Sequence, residues 1–435
     1  MDKVREAAML VLYKTDKEQA YSNMALKECF LKNKDFSGKD RAFITNLVYG
    51  TIKAQISIDY IIGCYSKVKL KKISPYILAI LRMGIYQIKF MDKVPDSAAV
   101  NESVTLAKRY GHKASSGFVN GILRNVLRGE ISYPQDQFEA LSVKYSYPLW
   151  MVKRWCEDFG KEFSESLMDS MNKEPEVSLR VNLLKTTPGE LVKNLPYAKI
   201  SEILPDMILS DGFDVGNSEG YKSGLFTPQD ISASFSARAL NPKSGDKVLD
   251  MCAAPGGKTT HLAELMENKG EIIALDIHEH KIKLIEDNAK RLGIDIITAK
   301  CADSSEEIPE FIGGFQKVLA DVPCSGLGII RRKPDIKLKK KEEGIEELQY
   351  KILENASRYL ASGGELLYST CTIDKRENEM VIERFLKENV GFQAVDITEI
   401  LPEILRKPEC KKGYVTFYPN VDGIDGFFIA KIKKV

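Results

Sequence analysis

A chain of 435 residues, 44% apolar and 29% charged, has the make-up of a globular protein with room for two or three domains. No run of about 18 uncharged apolar residues occurs, which excludes a membrane-spanning helix. The first stretch, MDKVREAAMLVLYKTDKEQ, carries acids and no signal-peptide core, so a cytoplasmic protein is expected. Eight cysteines form no CxxC pair and four histidines complete no zinc spacing, so neither disulfides nor a metal are expected.

The net charge of +2 is unevenly spread. Residues 1–130 hold 22 Lys/Arg against 12 Asp/Glu, which leaves the remainder acidic. A basic module beside an acidic one points to an anionic partner for the first.

Residues 3–129 read as helices throughout, an all-α bundle. Val4, Ala7, Ala8, Leu10, Val11 and Leu12 define an apolar face on the first helix. Further segments cover Asn23–Leu31 and one long stretch, Lys39–Tyr65. Pro75 and Pro95 open two more, the second stopped by Gly111, and Ser115–Leu127 ends at Gly129. Residues 131–240 are less regular. Pro148 starts a helix carrying Trp150 and Trp155, Thr187-Pro188 starts another after a strand, and Gly212, Gly216, Gly220 and Gly224 punctuate strand-like pieces. This reads as a small α+β linker domain.

From Asp246 strands alternate with helices, which implies a mostly parallel sheet covered on both faces with an antiparallel edge strand. The domains expected are 1–130, 131–240 and 241–435.

The centre of the third domain is VLDMCAAPGGKTTHLAE, Val248–Glu264: strand, Pro-Gly-Gly turn, helix. That is the opening unit of a doubly wound fold, with a nucleotide-like ligand over the helix N-terminus. A P-loop requires glycine where Cys252 stands, and GxGxxG is absent. Four acids, Asp250, Asp276, Asp303 and Asp321, end or follow successive strands, where ligands bind in open α/β sheets. Asp276 lies at the distance from the turn suited to ribose hydroxyls, and Asp303 to an adenine amine. Four acids with a single lysine, Lys258, suit a cationic sulfonium better than a pyrophosphate, which favours S-adenosylmethionine over NAD. Cys324 directly follows Pro323 after a strand end. Cys371 precedes a helix expected to start with an Asp374/Glu377 capping pattern, a setting that lowers a thiol pKa.

The segments DRAFITNLVYGTI, PYILAILRMGIYQI, PDSAAVNESVTLAK and GFVNGILRNVLR resemble the NusB family of RNA-binding helical domains. That resemblance implies RNA contact through basic helix surfaces, with Arg5 a candidate. MCAAPGGKT, DVPCSGLG, STCT and the closing DGFF resemble the RNA 5-methylcytosine methyltransferases, and with the NusB-like front end they resemble the RsmB (Sun/Fmu) group. The fold implied is a NusB-like bundle, an α+β linker and a Rossmann-like methyltransferase domain with a seven-stranded, mostly parallel sheet.

The activity the resemblance implies is S-adenosylmethionine-dependent methylation of carbon-5 of a cytosine in small-subunit (16S) ribosomal RNA. It implies Cys371 as nucleophile and Cys324 in product release. Cys252, Ala253, Ala254, Pro255, Gly256, Gly257, Lys258, Asp276, Asp303 and Asp321 are then expected around the cofactor. The basic run Arg331, Arg332, Lys333, with Lys337 and Lys339–Lys341, is expected to meet RNA phosphates. Leu338 departs from the group, whose members commonly carry an aromatic there. The expected partner is ribosomal RNA, free or in an assembly intermediate, and a monomer is expected. Alternatives are a DNA cytosine-5 methyltransferase acting through the Pro-Cys thiol, an enzyme acting on another RNA, and a non-catalytic ribosome-assembly factor.

Overall fold

The computed structural model describes residues 2–18, 20–210, 215–339 and 343–435. They form two compact units: Met1–Asn172 with Lys333–Lys339, and Lys173–Arg332 with Lys340–Val435.

The first unit is helical. Asp2 caps its first helix, Lys3–Lys17, accepting from the Val4 and Arg5 amides. That helix buries Ala7, Ala8, Met9, Val11 and Leu12, while Leu10, expected on the apolar face, is 37% exposed. Met9 takes its place. The stretch expected as one helix is two, Gly38–Lys53 and Gln55–Tyr65, separated at Ala54. The break is stabilised from a distance: Ser146 Oγ accepts from the Ile56 and Ser57 amides (3.1 and 3.3 Å), capping the second helix. Helices Pro75–Phe90, Asp96–Tyr110 and Ser115–Arg128 enclose the core around Ile80, Leu81, Leu106 and Leu123. Helix Ser22–Lys32 and three more, Gln137–Tyr145, Leu149–Phe159 and Lys161–Asn172, also belong to the unit.

The second unit holds two sheets. The smaller is antiparallel, in the order β2-β3-β1-β4: β1 Val177–Val181, β2 Ala198–Ile200, β3 Met207–Ser210 and β4 Phe226–Pro228. Thr187 and Glu190 form a capping box on helix Pro188–Asn194. The pieces at Gly216 and Gly220 are not strands but a 3-10 turn and a short helix, Glu219–Lys222, capped by Ser218; Gly212 lies outside the described residues.

The larger sheet contains β5 Lys247–Asp250, β6 Glu271–Asp276, β7 Ile297–Cys301, β8 Phe315–Asp321, β9 Leu360–Thr370, β10 Phe392–Ala394, β11 Tyr414–Phe417 and β12 Phe427–Lys434. Seven strands run in the order β10-β12-β9-β8-β5-β6-β7, and β11 adds an eighth beside β12. Strands β5 to β9 pair in parallel, and β12 runs antiparallel to β9. Alternate residues face opposite cores: Val248, Leu319 and Leu367 on one side, Leu249, Val318 and Leu366 on the other. Chain order reverses between β5 and β8, the switch point at which such sheets open a ligand crevice. Among the described residues no helix is long and apolar enough to cross a membrane.

Candidate active site

The glycine turn sits at the end of β5. Gly256 has φ +98°, a left-handed conformation suited to glycine, and helix Gly257–Leu265 begins immediately after it. Asp250 is 1% exposed; Thr259 Oγ1 donates to its Oδ2 (2.7 Å), while its buried Oδ1 forms no hydrogen bond. Burial holds this carboxyl up at about 7. The Ala254–Pro255 peptide is cis, and the Ala254 amide donates to Asp276 Oδ2 (3.3 Å). Asp276 also accepts from the His278 amide (3.0 Å), and the exposed Asp303 accepts from the Ser305 amide (2.8 Å). Cys252 is half-buried, and desolvation, then the charge of Asp250, pushes its thiol pKa well up.

The turn is braced from the small sheet. Arg180 on β1 is 1% exposed. It donates to both oxygens of Glu264 (3.0 and 2.8 Å), to Thr260 Oγ1 (3.0 Å) and to the Gly257 carbonyl (2.6 Å).

Strands β8 and β9 place the thiols. Asp321 pairs with Ser369 in the parallel register, so the segments leaving the two strand ends lie side by side. Cys324 Sγ is 3.2 Å from Cys371 Sγ. Beside them Lys258 Nζ meets Asp321 Oδ2 (2.7 Å), Ser369 Oγ donates to Asp321 Oδ1 (2.7 Å), and the Phe427 ring centroid lies 5.1 Å from the ammonium. Burial works against the Lys258 charge, but Asp321 and negative charge at Cys371 outweigh it, so its pKa is raised. The Cys324 thiol is pushed well up, first by its hydrogen bond to Cys371 and then by burial.

The helix expected to start at Asp374 starts instead at Glu379, so Cys371 does not sit at a helix N-terminus. Asp374 binds Arg376 Nε (2.9 Å), and Glu377 turns inward to accept from the Ser325 amide (2.9 Å) and Gln349 Nε2 (3.0 Å). The long-range partners of Glu377 override the local capping pattern.

The closing DGFF completes the wall. Asp425, 0% exposed, binds both Arg331 and Arg332, and Arg332 also reaches Asp230 Oδ2 (2.6 Å). The Gly426 amide donates to the Gly328 carbonyl (2.9 Å), and the Gly328 amide to the Cys371 carbonyl (3.0 Å). Two of the arginines expected to face phosphates therefore fasten the Cys324 segment to the final strand.

In the helical unit Arg5 is likewise engaged, with Gln87 Oε1 (2.7 Å), Asp2 and the Phe43 ring. Lys337, expected to contact phosphates, is 1% exposed: its Nζ donates to Asn172 Oδ1 (2.6 Å) and lies 3.6 Å from the Tyr147 ring centroid. Lys333 is exposed, and Lys340 and Lys341 lie outside the described residues. Among the described residues no group of three metal-ligating side chains is gathered.

Four acids that end or follow strands, one of them with a buried unpaired oxygen, around a glycine turn form a donor set that fits a cationic nucleoside such as S-adenosylmethionine. Sheet order, glycine turn and antiparallel β12 define a Rossmann-like methyltransferase domain, carried with a helical, NusB-like unit. The chain belongs to the RsmB/F methyltransferase family.

A family model described as 16S rRNA methyltransferase RsmB/F matches residues 237–433, the NusB family 2–128, and the ferredoxin-like domain of RsmF/B-like methyltransferases 147–209. A Bacillus subtilis (strain 168) protein, "Probable ribosomal RNA small subunit methyltransferase B", is 38% identical over 99% of this chain and 98% of its own. The crystal structure of PH0851 matches at TM-score 0.85 and 29% identity, covering 99% of both chains. That of NSun6 from Pyrococcus horikoshii with SFG matches at TM-score 0.58 and 26% identity, over 65% of this chain and 97% of that one.

Both thiols and the acids stand out in the sequence, whereas Arg180, Ser325 and Asn378 do not, and Glu377 has there the spacing of a cap. The only local sign of the last two is a polar Glu-Asn-Glu run where a helix was expected.

Proposed function

We propose that this protein is a small-subunit ribosomal RNA methyltransferase that modifies carbon-5 of a cytosine through a covalent adduct on Cys371. The observation that carries this reading is the pair of thiols 3.2 Å apart beside the Lys258–Asp321 ion pair. The names of the full-length relatives support the substrate class.

Carbon-5 of cytosine is a weak nucleophile. Addition of a Cys371 thiolate, its proton lost to solvent, forms a sulfur–carbon bond at carbon-6 and pushes the ring electrons toward carbon-5. Lys258 favours negative charge at that sulfur. In this reading Asp321, fixed by Lys258 and Ser369, holds the polar edge of the base. S-adenosylmethionine, held by the glycine turn with Asp250, Asp276 and Asp303, supplies the electrophilic methyl group. Release then requires a base to take the carbon-5 proton while the bond to Cys371 breaks and its electron pair returns to sulfur.

Cys324 suits that second role. Its proton is held on chiefly by its hydrogen bond to Cys371 and by burial, with the charge on Cys371 adding to both. Once the Cys371 sulfur is bonded to carbon, the contributions from Cys371 vanish and Cys324 ionises more readily, at the stage when a base is needed. The cytosine must be unstacked for either thiol to reach it. The basic charge of residues 1–130 fits RNA as partner of the helical unit.

The test compares wild type, Cys324→Ala and Cys371→Ala on unmethylated small-subunit ribosomal RNA, following methyl transfer from labelled S-adenosylmethionine and protein–RNA adduct on a denaturing gel. Adduct accumulating in Cys324→Ala and absent from Cys371→Ala is the expected result. The reverse pattern would assign the nucleophile to Cys324, as in DNA-type chemistry. No transfer by wild type would sink the substrate assignment.

A further inference from the structure

Two adjacent residues that touch no reacting group grip both thiol segments at once. Asn378 Oδ1 accepts from Thr370 Oγ1 (2.6 Å) and its Nδ2 donates to the Thr372 carbonyl (3.0 Å), so one side chain brackets Cys371. The preceding side chain, Glu377, reaches the other segment: its carboxylate accepts from the amide and the hydroxyl of Ser325, the residue after Cys324. Gln349 Nε2 donates both to Glu377 and to the carbonyl of Pro323, the residue before Cys324 (3.0 and 2.9 Å). Ser325 Oγ is also 2.8 Å from Thr372 Oγ1, which closes the circuit from one cysteine segment to the other. Tyr368 OH anchors the holder by donating to the Glu377 carbonyl (2.6 Å).

Glu377 is 2% exposed and Asn378 and Gln349 are 0% exposed. Burying an acid is costly, and here three donors aimed at one carboxylate offset that cost. An amide in its place has one acceptor oxygen, and its NH2 would confront donors from Ser325 or Gln349.

We infer that Glu377 and Asn378 are positioning residues: Asn378 fixes the Cys371 segment, and Glu377 holds the Cys324 segment against it, which sets the separation of the two sulfurs. The inference rests on the two-thiol reading above. A sulfur displaced by about 1 Å loses up to roughly 100-fold in rate, so this holder governs the thiol-dependent release step more than binding.

The experiment measures two things on Glu377→Gln and Ser325→Ala, each checked for native circular dichroism and thermal transition. The first is the rate at which diamide closes a Cys324–Cys371 disulfide, two thiols being oxidised as the diazene is reduced to the hydrazine. The second is adduct accumulation on ribosomal RNA. Expected in Glu377→Gln are disulfide closure slowed about tenfold and adduct trapped as in Cys324→Ala. Ser325→Ala, which removes one hydroxyl and keeps Glu377, shows a smaller slowing in the same sense and serves if Glu377→Gln does not fold. A folded variant that closes the disulfide at the wild-type rate overturns the inference. Slowed closure with no adduct even in Cys324→Ala leaves the holder standing and overturns the two-thiol chemistry instead.

Discussion

Cys324 Sγ and Cys371 Sγ stand 3.2 Å apart, and the hydrogen bond between them keeps the Cys324 proton in place. Removing Cys371 therefore lowers the Cys324 pKa. Iodoacetamide at pH 8 is expected to label Cys324 several-fold faster in Cys371→Ala than in wild type, read by mass spectrometry of the labelled peptide. Equal or slower labelling would show that Cys371 does not hold the proton.

Asp250 couples the glycine turn to pH. Its folded carboxyl sits at about 7, above the unfolded value of about 3.9. The native state thus binds the extra proton between those values, and this contribution, present below about pH 4, is lost as pH rises through about 7. It amounts to at most roughly 4 kcal/mol. Asp250→Asn keeps an acceptor for Thr259 and cannot ionise. Urea unfolding at pH 5 and pH 8 is expected to show a smaller loss on raising pH in the variant than in wild type; equal losses would mean Asp250 is already ionised in the native state.

The DGFF motif owes its second residue to a crossing of two backbones. A Cβ on Gly328 would lie 2.0 Å from the Gly426 carbonyl oxygen, and one on Gly426 would lie 2.6 Å from Gly328 Cα. Neither neighbour is a side chain able to swing away. Gly328→Ala is expected to cost about 3 kcal/mol or more and to move the Cys371 carbonyl, its hydrogen-bond partner. Gly121, inside the exposed face of helix Ser115–Arg128 with nothing within 4 Å, is the contrast: Gly121→Ala should stabilise by about 1 kcal/mol. Calorimetric melting of the two variants checks both signs.

The basic residues of the run Arg331–Lys333 divide by what they touch. Arg331 and Arg332 are tied to Asp425, whereas Lys333 faces solvent. If Lys333 meets a phosphate, Lys333→Ala reduces the slope of log affinity against log salt by about 0.9 or less without changing the melting temperature. Arg331→Ala leaves a buried carboxylate with one partner fewer and lowers stability instead. RNA titrations at several salt concentrations, beside melting curves, separate the two; an unchanged slope for Lys333→Ala removes it from the interface.

Much of this arrangement is legible in the chain. Apolar strand runs ending in Asp250, Asp276 and Asp321 mark the parallel sheet because strands covered on both faces are continuously apolar and buried. Both cysteines are visible because they follow strand ends. What sequence reading misjudged has distant partners. Asp374 and Glu377 have the spacing of a local cap, yet Glu377 is claimed by Ser325, 52 residues away. The helix break at Ala54 depends on Ser146, about 90 residues on. The charge of Arg332 is plain from the sequence, but its partners Asp230 and Asp425 lie on other elements.

Arg180 is the strongest case of a residue whose role only folding reveals. All three guanidinium nitrogens are engaged: Nε and Nη2 with Glu264, Nη2 with Thr260, and Nη1 with the Gly257 carbonyl and Gln229. Burial raises the Glu264 pKa, with Arg180 acting against the rise. Arg180→Ala therefore leaves an uncompensated buried carboxylate and is expected to cost about 3–5 kcal/mol in urea unfolding. Arg180→Lys keeps the charge but not the planar fork, so it should recover only part of that loss. The double variant Arg180→Met with Glu264→Leu removes the ion pair as a unit and should restore most of the stability, since buried pairs often exchange for apolar ones with little net cost. It does not restore the donor to the Gly257 carbonyl. S-adenosylmethionine binding, measured by calorimetry, should then remain weaker than wild type although the fold is stable again. Full recovery of binding in the double variant would show that Arg180 only supports the packing of this helix and does not shape the turn.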